Sequence, residues 1–152
     1  MVRIAAIVIS LSAGITQSSF AATIEHRDGE IVFTGGSFAI AFSGINGAIR
    51  SVTMPGRNGS ILQSGDDGLW RATYKEGGGC AGADFTGDSP TRPFRWSADP
   101  AAGNLSLTYT SADVAVTITV TERADGVDFT ARVEPASQTV LEFGLPARLR
   151  FA

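Results

Sequence analysis

The residues best equipped to hold a ligand in this sequence are aromatic. On strand geometry Trp70, Ala72 and Tyr74 share one face, and Phe94 and Trp96 share a face of a second strand. An exposed indole or phenol ring stacks on the apolar face of a sugar, and a guanidinium beside it (Arg71 or Arg95) can bond to the hydroxyls. Trp70, Arg71, Tyr74 and Trp96 are therefore the candidate ligand-binding residues, with carbohydrate as the ligand class. Rings so placed in a domain of this size more commonly fill the core, and the two roles differ in which strand face meets water.

Other chemistry is thinly represented. A Ser/His/Asp triad would have to use His26, the single histidine, a few residues from the expected mature N-terminus. One histidine and one cysteine are too few for a zinc or iron–sulfur centre, and a single cysteine allows no disulfide within the chain. Cys80 reads as a small, half-buried residue in a glycine loop. Asp84 and Asp88 could meet calcium with loop carbonyls, but their spacing matches no calcium loop, so they read as solvated carboxylates. The run Gly77-Gly78-Gly79-Cys80-Ala81-Gly82 has neither the lysine nor the following helix of a phosphate-binding loop. Paired carboxylates for glycoside hydrolysis are available in number, yet no Asp or Glu sits in a context that marks it out. No catalytic residue, metal or cofactor is assigned. Asn58-Gly59-Ser60 and Asn104-Leu105-Ser106 match glycosylation acceptors, which matter only in a eukaryotic secretory pathway.

The elements that must position these residues are strands. Leu105, Leu107 and Tyr109 alternate with Ser106, Thr108 and Thr110; Val114, Val116, Ile118 and Val120 alternate with Ala115, Thr117, Thr119 and Thr121. Val127, Phe129, Ala131 and Val133 alternate with Asp128, Thr130, Arg132 and Glu134, completing three half-buried strands. A two-residue turn at Ala112-Asp113 pairs Tyr109 with Val116 and Leu107 with Ile118. A two-residue turn at Asp125-Gly126 pairs Val120 with Ala131 and Ile118 with Val133. Both registers hold the apolar row on one face. Earlier in the chain, Asp28-Gly29 joins Thr23–Arg27 to Glu30–Thr34 as a hairpin. Residues 37–43 and 48–54 form another; a three-residue loop Ile45-Asn46-Gly47 with Gly47 left-handed pairs Ile40 with Val52 and Phe38 with Met54, burying both apolar rows together. Residues 69–75 and 94–98 read as further strands. Residues 55–67 read as a turn-rich connection and residues 76–93 as a long loop. No segment has a sustained helical period, so the fold class is all-β, an antiparallel sandwich.

The N-terminus reads as an export signal. Arg3 precedes an apolar run from Ile4 to Ile15, too short to span a bilayer, and Ser19-Phe20-Ala21 places small residues at a cleavage site. The expected processing is removal of residues 1–21 by a cut after Ala21, leaving residues 22–152 as one domain that is secreted or periplasmic and free of the membrane. Leu11-Ser12-Ala13-Gly14 opens like a lipoprotein signal, but Ile15 stands where the lipidated cysteine belongs. Without Arg3 the chain carries 11 basic and 15 acidic residues (12 basic less one, against 15), and its arginines are scattered singly, which excludes a nucleic-acid footprint.

Phe38-Ala39-Ile40-Ala41-Phe42 followed by Gly47-Ala48-Ile49-Arg50-Ser51-Val52 resembles the opening hairpin of galactose-mutarotase-like β-supersandwich domains. In that family a loop and then a strand carrying Leu-Trp follow, as Gly68-Leu69-Trp70-Arg71-Ala72-Thr73-Tyr74 does here. The resemblance extends over residues 31–151. It implies a supersandwich that stands N-terminal to the catalytic barrel of a secreted glycoside hydrolase or polysaccharide lyase and supports or contributes to glycan binding. The histidines by which mutarotases open a sugar ring have no counterpart beyond His26, so that activity does not transfer. The chain is still strand-like at 140–151, and by the resemblance the polypeptide would continue into more sheet and a catalytic partner domain. Two other readings stay open: a free-standing carbohydrate-binding module, and an interaction module of the cell envelope without a ligand.

Overall fold

The computed structural model of the chain describes residues 22–54, 56, 59–64, 68–123, 126–145 and 149–151. The signal segment 1–21 with its cut after Ala21, and Asn58 of the first glycosylation sequence, lie outside them. Among the described residues the fold is all-β, with antiparallel strands and a single 3-10 turn at Gly82–Asp84.

Two meanders form the sandwich. The first runs β1 (Thr23–Arg27), β2 (Glu30–Thr34), β3 (Ala39–Ser43) and β4 (Ile49–Thr53), each paired with the next. Asp28 and Gly29 both have positive φ (52° and 75°), the geometry a two-residue turn demands between right-twisted strands. Passing the strands β5 (Leu62–Ser64), β6 (Arg71–Tyr74) and β7 (Gly79–Ala81), the second meander runs β8 (Phe94–Asp99), β9 (Asn104–Thr110), β10 (Val114–Arg123) and β11 (Gly126–Pro135). The chain ends in β12 (Val140–Gly144) and β13 (Leu149–Phe151). A third sheet has the order β12-β6-β7, and β13 pairs with β5.

Alternation decides what is buried. Leu105, Leu107, Tyr109, Val116, Ile118 and Val120 have no exposed surface, and they pack with Ile31, Phe33, Ile40, Phe42 and Val52 of the first sheet in one core. The Phe42 and Phe129 rings meet edge-on at 6.3 Å across the two sheets. At the rim, Glu122 Oε1 accepts the Gly36 N–H at 2.9 Å, tying the β2–β3 turn to the end of β10.

The β9–β10 register is the expected one, Tyr109 opposite Val116 and Leu107 opposite Ile118, with Ser111 Oγ accepting the Asp113 and Val114 N–H groups inside the turn. The β10–β11 register differs by two residues: Val120 faces Phe129, Ile118 faces Ala131, and Arg123 faces Gly126. The expected turn at Asp125-Gly126 is not the one found, since Gly126 belongs to β11; residues 124–125 lie outside the described set. A two-residue shift keeps every side chain on its own face, so alternation could not separate the registers. The Arg123 Nε to Asp128 Oδ2 ion pair at 2.6 Å links the end of β10 to the start of β11.

In the β3–β4 hairpin Ile40 faces Val52, as expected, but the loop has four residues rather than three. Ser43 N donates to Ala48 O and Gly47 N to Ser43 O, and a bulge between Ala41 and Phe42 on the ladder absorbs the extra residue on the β4 side. Asn46 Oδ1 accepts the Ala48 N–H and Ser43 Oγ the Ile45 N–H, an alternative to ladder bonds that short polar side chains supply. Gly47 is left-handed (φ 68°), and a Cβ there would collide with the Tyr109 hydroxyl and the Phe94 ring. Two expected loops contain strands: β5 lies within 55–67, and β7 within 76–93.

Candidate functional site

The candidate aromatic residues fall in three different environments. Trp70 immediately precedes β6, whose alternation buries Ala72 and Tyr74 and exposes Arg71 and Thr73. The strand is central in its sheet, with β12 on one side and β7 on the other, so both its edges are paired. Trp70 has no exposed surface. Its ring lies 5.4 Å from Phe85 and Tyr109 and 5.7 Å from Phe143, the last stacked at 20°. Phe94 adds a contact to Tyr109 at 5.1 Å. Trp70 thus joins β12, β9 and the segment after the 3-10 turn in one aromatic hub, with ring spacings in the favourable range for pairs.

This corrects the reading of Trp70 and Tyr74 as sugar platforms. Neither offers a ring face to solvent: Tyr74 is buried, and its hydroxyl lies 2.8 Å from Cys80 Sγ on the neighbouring strand β7. Burial, then the bond to Cys80, pushes the Tyr74 pKa up; burial likewise pushes the Cys80 thiol up. Cys80 is accordingly a packed thiol with little nucleophilic character at neutral pH. Arg71 is exposed on the opposite face of β6, away from Trp70 and Tyr74.

Trp96 alone of the four candidates combines an indole with a partly open position. It sits on β8, the edge of the second sheet, packed against the core, and its ring is 5.4 Å from that of His26 on β1, the edge of the first sheet. The pair closes the side of the sandwich where the two edges meet. Sequence reasoning missed His26 in this role, because nothing in its spacing relates residue 26 to residue 96. Its position opposite Ile31 in the β1–β2 ladder, on an inward-facing row, is the signal that pairing supplies.

The loop 82–93 is held by its own contacts. Asp84 Oδ2 accepts the Ala81 N–H at 2.8 Å and lies 3.6 Å from Arg92 Nη1, whose guanidinium stands 5.9 Å from the Phe85 ring centroid. Asp84 is thereby engaged within the protein, and among the described residues no three His, Cys, Asp or Glu side chains converge as metal ligands would. Two buried polar atoms of the hub, Trp70 Nε1 and the Tyr109 hydroxyl, have no hydrogen-bond partner, and burial drives the Tyr109 pKa well above the usual phenol range. Comparison with protein families, with curated proteins and with solved structures finds no match for the chain.

Proposed function

We propose that the chain is a non-catalytic β-sandwich domain of an exported carbohydrate-active enzyme, a scaffold beside the catalytic domain that contributes to glycan contact through its surface. One observation carries this reading: the residues by which the chain resembles such domains are spent on architecture. Leu69 and Trp70 are fully buried, and the Phe38–Val52 segment forms a hairpin whose apolar row packs into the same core. The side chains that could act as sugar platforms are thus largely committed to packing, which suits a support domain. The test is to read the gene beyond the codon for Ala152. A continuous frame into barrel-like sequence with paired acids is the expected result; a stop codon there, or a frame encoding no such domain, sinks the proposal.

A second reading, a free-standing glycan-binding module, is favoured by the partly open Trp96 beside exposed His26. It is separated by titrating the mature chain with soluble oligosaccharides while following indole fluorescence. Saturable quenching that Trp96→Phe removes would support it, and an invariant spectrum would dismiss it.

A further inference from the structure

The strand β11 is ten residues long and terminal in its sheet. It pairs with β10 over its full length without a bulge, and no described strand pairs with its outer edge. Edges of this length are ordinarily shortened, bulged or guarded by proline and lysine, because a row of free N–H and C=O groups recruits another strand. Here the guards are Pro135, at the very end, and the outward charges of Asp128, Arg132 and Glu134, which are of both signs and so can pair as well as repel. The core row also runs out to this rim. Val116 and Ile118 on β10 are fully buried, while Phe129 (8%) and Val133 (6%) on β11 retain exposed surface.

We propose that β11 is a self-complementary edge through which two copies of this chain pair, antiparallel about a two-fold axis at Thr130, joining the four-stranded sheets of the two copies into one. The charge pattern selects this register. With Thr130 opposite itself, Asp128 of each copy faces Arg132 of the other, Phe129 faces Ala131, and Val127 faces Val133. Opposite charges directly across an antiparallel pair attract, and apolar pairs on the core side extend the buried row. Moving the axis to Ala131 sets Asp128 against Glu134 twice; moving it to Asp128 or Arg132 sets like charges on the axis itself. Moving it to Phe129 leaves Asp128 opposite Thr130 and Arg132 opposite Gly126, with no ionic pair. A register offset by one residue would turn the two core rows to opposite faces. Within one copy Asp128 is bonded to Arg123 through Oδ2, and Arg132 meets Glu134 at 2.5 Å. Both are surface pairs that cost little to rearrange. Asp128 keeps Oδ1 for the second copy, so a chain Arg123–Asp128–Arg132 crosses the interface.

Sedimentation velocity of the full chain over a range of concentrations tests this directly. A reversible dimer is expected. Arg132→Asp opposes two carboxylates on each side of the axis and should raise the dissociation constant roughly tenfold or more. Adding Asp128→Arg to Arg132→Asp restores opposite charges in the same register and should restore the dimer. Because both positions are on the outward face, the unfolding midpoint of the monomer serves as the check that each variant folds. Thr130→Cys supplies an independent readout: oxidation should link two copies through a residue that faces itself, while Thr117→Cys on β10 should not link. A monomer at every concentration, a dimer indifferent to Arg132→Asp, or a dimer in which Thr130→Cys fails to link each overturns the proposal.

Discussion

At the scale of single residues the molecule is governed by what its aromatic rings touch. Trp70 occupies the junction of three elements, so Trp70→Ala opens a cavity that its neighbours cannot fill, at a cost of about 3–5 kcal/mol, read as a lowered urea midpoint. Tyr109 makes the opposite case. Its hydroxyl is buried without a partner, so Tyr109→Phe removes an unsatisfied group and keeps the ring; stability is expected to be unchanged or to rise by up to about 1 kcal/mol in the same measurement. The same hydroxyl gives a pH signature. Its folded pKa lies above that of the unfolded chain, so the folded state holds the proton that the unfolded state releases. That contribution is fully present below the unfolded tyrosine pKa, about 10, and is lost as pH rises from there through the folded value. Stability should therefore fall on the alkaline side, and less steeply in Tyr109→Phe. The grouping of Trp70, Ala72 and Tyr74 on one face was legible from alternation. Which face looked inward was not, since the exposed side of β6 is only Arg71 and Thr73, and burial there is decided by Phe143, some seventy residues later.

At the scale of elements, turns set the pairing and alternation sets the face. Asp28-Gly29 and Ala112-Asp113 were readable because each turn fixes one register and buries one row. The β10–β11 pairing was not, because Val127, Phe129, Ala131 and Val133 offer the same apolar face to β10 after a shift of two. The strand β7 escaped notice because Gly79, Cys80 and Ala81 are too few and too small to display a period; Gly79 lies where a Cβ would meet the Ala72 carbonyl. The β3–β4 loop carries the clearest test at this level. Gly47→Ala strains a left-handed residue and forces a methyl onto the Tyr109 hydroxyl and Phe94 ring, so a loss of about 1–3 kcal/mol is expected. In the Tyr109→Phe background the loss should shrink, since one of the two collisions is gone, and a double-mutant cycle measures the difference.

At the scale of the whole molecule, the two indoles report on separate regions. Trp70 lies in a sealed hub and Trp96 at a partly open seam, so acrylamide should quench Trp70→Phe, which keeps Trp96, more strongly than Trp96→Phe, which keeps Trp70. Equal quenching would contradict this placement. Alternation and turn residues made the all-β class legible but left the surfaces open, because glycan and partner recognition depend on outward side chains that alternation treats alike. The order of assembly follows from the third sheet. Each meander is built from consecutive strands, so both can close over short spans of chain as soon as those spans exist. The strand β6 pairs locally with β7, but its other partner, β12, follows only after both ends of the second meander have been laid down. The Trp70–Phe143 contact therefore closes over some seventy residues and is expected to form after either meander. A chain stopped before residue 140 would hold two formed meanders and a wet indole, and it would bind the dye ANS as partly folded proteins do.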